Sequence, residues 1–284
     1  MSWTRLPALE EAVHAPGPTR AYALVDSALY PQVQRRQPLG VECAALEVPG
    51  ADDAEAKSVL PVLLAWPADD PTRSWLLPRS ILWAQEHHAV TWLRSPLGLK
   101  ELARALGRRM DSVLDDGTEV LLRFADARIL GPMWSVMSEA QRATMFAPVA
   151  RWWYLDREEQ LQELPLRQSE HGAGQLPLVL SQSQLDRLLD MAEPDVVMQQ
   201  LRELSPNELA AIERPARYGT VRRHIERARH FGVDAARDLA AFCTLMLRRG
   251  EGTLERPQWS ALVQQVQAKR MTWAQALISK ELWS

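Results

Sequence analysis

Lysine and cysteine are nearly missing from this chain. Of its 33 basic residues only Lys57, Lys100, Lys269 and Lys280 are lysine, so arginine carries almost all the positive charge. The two cysteines, Cys43 and Cys243, lie far apart in apolar runs and match no metal-ligand spacing; isolated thiols of this kind read as buried and reduced. No apolar run approaches the roughly 20 residues that a membrane-spanning helix needs. The first residues, MSWTRLPALEEAVHAPGPTR, lack the basic-then-apolar build of a secretory signal. A cytoplasmic protein is therefore expected. A net charge of −3 gives no general electrostatic footprint for nucleic acid or an anionic membrane.

Several chemical signatures are missing as well. No GxGxxG or GxxxxGK[ST] phosphate loop occurs, HGAG at 171–174 precedes no strong helix signal, and neither HExxH nor a Gly-x-Ser-x-Gly elbow is present. Potential metal ligands cluster only at Glu86-His87-His88. Adjacent strand residues point to opposite faces, so the two histidines are poorly placed to share an ion and read as loop or strand-start residues. His224 and His230 lie six apart, on different faces of a helix. No catalytic residue, metal or cofactor is expected.

What is present is an ordinary globular balance, 46% hydrophobic and 24% charged, with 11 tryptophans. Tryptophan and arginine are the residue types that anchor protein–protein interfaces, although a Trp-rich core gives the same composition. To about Asp156 the chain alternates strand-like and helix-like segments. AYALVD (21–26), VECAALEV (41–48), VLPVLLAW (59–66), AVTWLRS (89–95), DSVL (111–114), EVLLRFAD (119–126) and PVARWWYL (148–155) read as strands. Leu99, Leu102, Ala103 and Leu106 fall at helical spacing between two of them. LPLRQSEHGAGQLPLVLSQSQ then reads as a linker. Beyond it the pattern is helical, with capping-box spacings at Ser181/Gln184 and Thr272/Gln275, Pro206 at a first helical position, and Gly232 and Gly250 at helix ends. Leu185, Leu188 and Leu189, then Leu239, Phe242, Cys243 and Met246, then Trp259, Leu262, Val263 and Val266 form the apolar faces. The expected architecture is an α/β (α+β) lobe with a central mixed sheet, followed by an all-helical lobe. Its parts are an N-terminal extension (1–20), the α/β domain (21–160), a linker (161–180) and the helical lobe (181–284).

Two aspartates end strand-like runs. In VLLRFADARIL, strand alternation puts Val120, Leu122, Phe124 and Asp126 on one face. Asp126 is then suited to capping a short turn, Ala127 to Leu130, broken by Gly131-Pro132, and to pairing with Arg128 or Arg123. YALVDSALYP repeats the device at Asp26. An alternative reading makes Asp26 and Asp126 an acid/base pair of a hydrolase or transferase at the sheet edge, joined by His87 or His88. A basic cluster, Arg217, Arg222, Arg223, Arg227 and Arg229, lies on a helical pattern with Val221, Ile225 and Ala228 inward. Such a run is ordinarily a solvated face, and as a functional patch it suits an acidic protein partner at least as well as phosphate.

Four segments occur in a distinctive order: YALVDSALYP, AVTWLRSPLGLKELARALGRRM, GTEVLLRFADARIL and MFAPVARWWYL. Over residues 20–155 the chain resembles the domain of unknown function carried by the Tap/TEC adaptor-chaperones of bacterial type VI secretion systems. The family pattern of a strand followed by Arg-Phe/Tyr-x-Asp-Pro-Arg is met by Arg123, Phe124, Asp126 and Arg128, with Ala127 where the family usually has proline. The resemblance makes Asp26, Trp92, Arg123, Phe124, Asp126 and Arg128 a structural signature. It implies a non-enzymatic adaptor that binds a toxic effector and helps load it onto the VgrG spike, commonly through the spike's C-terminal extension. Nucleic acid and membrane are not expected partners. Tyr30, Arg94, Arg222, Arg223 and Arg227 are the candidate partner-binding residues.

Overall fold

The computed structural model describes residues 6–35, 40–67, 70–166, 174–273 and 275. The chain divides into two compact units, Met1–Asp190 and Met191–Ser284. The first runs through α1 (Pro7–His14), β1 (Arg20–Val25), α2 (Gln32–Arg35), β2 (Cys43–Ala45), α3 (Ala54–Val59), β3 (Val62–Ala65), α4 (Asp70–His87) and β4 (Val90–Ser95). It continues with α5 (Leu99–Gly107), β5 (Asp111–Leu114), β6 (Glu119–Leu121), α6 (Ala127–Val136), α7 (Glu139–Phe146), β7 (Arg151–Leu155), β8 (Leu161–Glu163) and β9 (Leu178–Leu180). Helix α8 (Gln182–Leu204) starts in the first unit and ends in the second. The second unit adds α9 (Pro206–Ala210), α10 (Arg214–His230), α11 (Ala236–Arg249), a 3₁₀ turn (Glu251–Glu255) and α12 (Pro257–Gln267).

Strands β1 and β4 are buried on both faces beyond Arg20, and that decides the architecture of the first unit. A strand buried on both sides needs a covering layer on each. The main sheet has the order β2-β3-β1-β4-β7-β8, and each pair in it is antiparallel. One face, with Tyr22, Leu24, Leu63, Leu93 and Trp152, packs against α5, α6 and α7 through Leu102, Leu106, Leu130, Met133, Met145 and Phe146. The other, with Ala23, Val25, Leu64, Trp92 and Trp153, packs against α1 and α4 through Leu9, Val13, Leu76, Ile81 and Ala84. Mixed pairing is found in a second, three-stranded sheet of order β6-β5-β9, where β5 meets β9 in parallel. Two buried tryptophans keep a partner for the indole N–H: Trp92 donates to Ser80 Oγ at 2.9 Å and Trp152 to Thr91 Oγ1 at 2.9 Å.

Several details differ from the sequence pattern, each for a physical reason. The segment 1–20 contributes α1, whose Leu9, Ala12 and Val13 are buried in the core. The segment 161–180 supplies β8 and β9; its residues 167–173, with most of HGAG, lie outside the described residues. The run from Glu119 leaves the strand at Leu121 and turns, with Asp126 N–H donating to Arg123 O at 3.0 Å. Leu122 and Phe124 are nevertheless buried, so the alternation reports inward-facing turn residues. Helix α6 continues through Gly131-Pro132 to Val136, because Leu130 and Met133 bury completely and outweigh the proline penalty. Gly131 is needed for space: a Cβ there would lie 2.4 Å from Tyr154 Oη. Helix α4 is unexpected from the sequence, with Pro78 inside it.

In the second unit the apolar faces of α8, α10, α11 and α12 meet in one core that includes Val197, Leu201, Val221, Ile225, Phe242, Trp259 and Trp273. Leu189, expected on an apolar face, is exposed. The start and stop signals act as their chemistry requires. Ser181 N–H donates to Gln184 Oε1 at 2.9 Å and Gln184 N–H to Ser181 Oγ at 3.3 Å; Thr272 and Gln275 make the same reciprocal pair. Gly250, at φ 82°, donates to Met246 O and ends α11. Both cysteines are free, and burial pushes the Cys243 thiol up to about 12.

Arg94 holds the N-terminal helix to the sheet. Its guanidinium donates to Ala12 O at 3.0 Å and Ala15 O at 2.6 Å, and to Thr19 Oγ1 at 2.9 Å and Thr19 O at 2.5 Å. These include carbonyls that the end of α1 cannot satisfy within the helix. Burial, with Arg151 nearby, draws the Arg94 pKa below its ordinary value. Arg94→Met should cost about 3 kcal/mol, the scale for carbonyls and a charge site losing their partners. Denaturant unfolding measures the loss, and limited proteolysis should cut first near residues 12–19.

Candidate functional site

The two strand-end aspartates are positioned by one short connection, His88-Ala89, between α4 and β4. Asp26 N–H donates to Ala89 O at 2.8 Å, and Ala127 N–H donates to His88 O at 3.0 Å. The tight reversal puts His88 at φ 54°, in the left-handed region. The end of β1 and the start of α6 are thus fastened to the same two residues.

Each carboxylate is then held by its own arginine. Asp26 accepts Ala28 N–H at 2.9 Å and Leu29 N–H at 3.2 Å, which closes the turn after β1. Arg123 Nη2 reaches both oxygens of Asp26, at 3.0 and 2.9 Å. Asp126 accepts Arg128 N–H at 2.9 Å as the cap of α6 and is gripped by Arg128 Nε at 3.0 Å and Nη2 at 2.7 Å. Both carboxylates are almost fully buried, and both arginines are partly exposed. Of the two expected partners for Asp126, Arg128 takes the role; Arg123 serves Asp26. The four groups make two separate ion pairs on a common backbone corner, with Phe124 at its base against Trp152 at 5.8 Å.

Beside this corner lies a surface cleft of about 380 Å³, lined by Tyr30, Gln32, Arg79, Leu82, Trp83, Glu86 and His87. Tyr30 N–H donates to Asp26 O, so the turn that buries Asp26 also aims Tyr30. The Tyr30 ring stacks on Trp83 at 4.9 Å and meets His87 at 5.3 Å. His87 Nε2 is 3.8 Å from Glu86 Oε2. Arg79 is exposed at the cleft. The arrangement presents a partly apolar aromatic shelf with charges of both signs at its rim. The sequence pointed to Tyr30; Trp83 and Arg79 were hidden within the unexpected helix α4. Among the described residues, no three His, Cys, Asp or Glu side chains gather as a metal ion would require.

The remaining candidates separate. Arg94 is buried in the clasp on α1 and offers no free surface, which corrects its expected role as an exposed contact. Arg222, Arg223 and Arg227 share α10. Arg222 pairs with Glu226 at 2.9 Å, Arg227 with Glu251 at 3.1 Å, and Arg223 donates only to Thr220 Oγ1 at 3.2 Å. Exposed pairs of this kind are worth at most about 1 kcal/mol, so these guanidiniums can be redirected to a partner at little cost. Beneath them His224 is buried, with Nδ1 3.8 Å from Glu251 Oε1. Burial draws its pKa below the ordinary imidazole value; Glu251 opposes the shift, and Arg223 and Arg227 add to it.

Residues 21–144 match the family described as Domain of unknown function (DUF4123). The match takes in β1 through most of α7, and with them both Asp–Arg pairs and the cleft. No curated protein and no solved structure matches the chain.

If Asp26 and Arg123 form one structural unit, a double-mutant cycle in denaturant will show it. Asp26→Asn should cost about 2 kcal/mol, Arg123→Gln about 1 kcal/mol, and the double variant less than their sum. Additive losses would mean that the pair is not coupled. For His224, the native side chain is held neutral while the unfolded chain takes up a proton near pH 6.5. Stability conferred above that value is therefore lost as pH falls through it. Melting temperature should drop between pH 7.5 and 5.5, and more steeply in the wild type than in His224→Leu.

Proposed function

We propose that this chain is an adaptor-chaperone that binds a type VI secretion effector in the bacterial cytoplasm and helps load it onto a VgrG-type spike, through the spike's C-terminal extension. The observation that carries the reading is the DUF4123 match over residues 21–144, whose strand-end signature Arg123-Phe124-x-Asp126-x-Arg128 is the corner described above. The corner supports a scaffold role for these residues, since each carboxylate is already engaged by an arginine and by backbone N–H groups. Recognition then falls to surface groups. The Tyr30 ring, backed by the buried Trp83, offers apolar contact, and Arg222, Arg223 and Arg227 offer charge that sets register and association rate more than final affinity. Holding an apolar effector segment would stabilise that segment by mass action.

The test is co-purification of the full chain with the toxin and spike proteins encoded beside it. Retention of either supports the reading, and recovery of neither by folded protein overturns it. Within a retained complex, Arg222→Glu with Arg223→Glu should weaken binding about tenfold. Melting temperature should hold, because exposed substitutions of this kind stay within about 0.5 kcal/mol. An equal loss of stability would reassign the two arginines to folding.

A further inference from the structure

The small sheet hides one face and shows the other. Ser112, Leu114, Leu178 and Leu180 point inward and are buried. Strand alternation and the pairing register put Asp111, Val113, Glu119, Leu121 and Val179 together on the outer face: Asp111 lies opposite Leu121, and Val113 lies between Glu119 and Val179. Leu121 and Val179 are 53% and 55% exposed, which places them among the few large apolar side chains left in solvent.

The two acids of this face are diagonal neighbours, a distance of about 7–8 Å between strands, and like charges so placed repel. Glu119 accordingly adds to the burial effect that raises the pKa of Asp111. Elsewhere Glu47, Glu163, Glu193, Glu208, Glu226 and Glu251 each meet an arginine. Among the described residues neither Asp111 nor Glu119 has a cationic partner. The β9 edge is already engaged where Gln141 Nε2 donates to Val179 O at 2.6 Å, which leaves the face, not that edge, open for contact.

We propose that this outer face docks a segment of a partner protein in which apolar side chains flank a lysine or arginine, the cation seating between Asp111 and Glu119 and the apolar groups covering Leu121, Val113 and Val179. The inference rests on the adaptor reading and deepens it, because it gives the chemistry of the recognised segment. An acidic-apolar face of this kind favours basic segments and also selects against acidic ones.

The experiment uses the full chain bound to whichever neighbouring effector or spike it retains. A benzophenone amino acid is placed at Leu121, at Val179 and, as control, at exposed Val59 on α3. Cross-links from 121 and 179, but not from 59, to a partner peptide with a basic residue between apolar ones are expected. Asp111→Lys with Glu119→Lys should weaken the complex at least tenfold, with melting temperature unchanged. A complex that forms without cross-links from 121 and 179 overturns this inference and leaves the adaptor reading standing, as do cross-links to a segment without a basic residue. Cross-linked dimers of this chain would assign the face to self-association and also overturn it. If no complex forms, both fall.

Discussion

Two aspartate–arginine pairs mounted on the His88-Ala89 connection are the constraint on which the rest of the first unit depends. The main-chain bonds from Asp26 to Ala89 and from Ala127 to His88 fix where β1 ends and α6 begins. The carboxylates are buried only because each has an arginine and backbone N–H groups to compensate the lost hydration. From that corner follow the turn that carries Tyr30, the direction in which α6 crosses the sheet, and the inward placement of Phe124. A buried, unpaired acid here would be costly, and each aspartate is accordingly paired with an arginine and with backbone N–H groups.

The doubly buried strands explain the remainder. Because β1 and β4 are buried on both sides, helices lie over each face of the main sheet. The residues proposed for recognition are therefore different from those that hold the cores. Tyr30 and the arginines of α10 are at least partly exposed, whereas Trp92 and Trp152 are buried on opposite faces of the main sheet, and the chemistry of each set differs accordingly.

Much of this was legible in the sequence wherever local chemistry decides structure. The strand AVTWLRS, the Ser181/Gln184 box and the glycine stops at 232 and 250 depend on residues a few positions apart, and all appear where those residues place them. Long-range partnerships were not legible. Arg123 finds Asp26 across 97 positions, and Arg94 finds Ala12 across 82. An arginine beside a tryptophan strand reads as surface until its carbonyl partners are known. Helix α4 was obscured by Pro78, and the segment 161–180 by its glycine and proline content, although its strands complete both sheets. For the candidate site, the signature aspartates were visible and the cleft that they orient was not.

The clasp between Arg94 and the first helix bears on how the protein is made. A nascent chain emerges amino end first, yet α1 finds neither its clasp nor a complete sheet to rest on until β4 has left the ribosome. The central strand is the earliest one synthesised, and both of its neighbours, β3 and β4, arrive later. A molecule proposed to shelter the apolar segments of others therefore passes through its own interval of exposure, with Leu9, Ala12 and Val13 uncovered for the time it takes to translate some eighty codons.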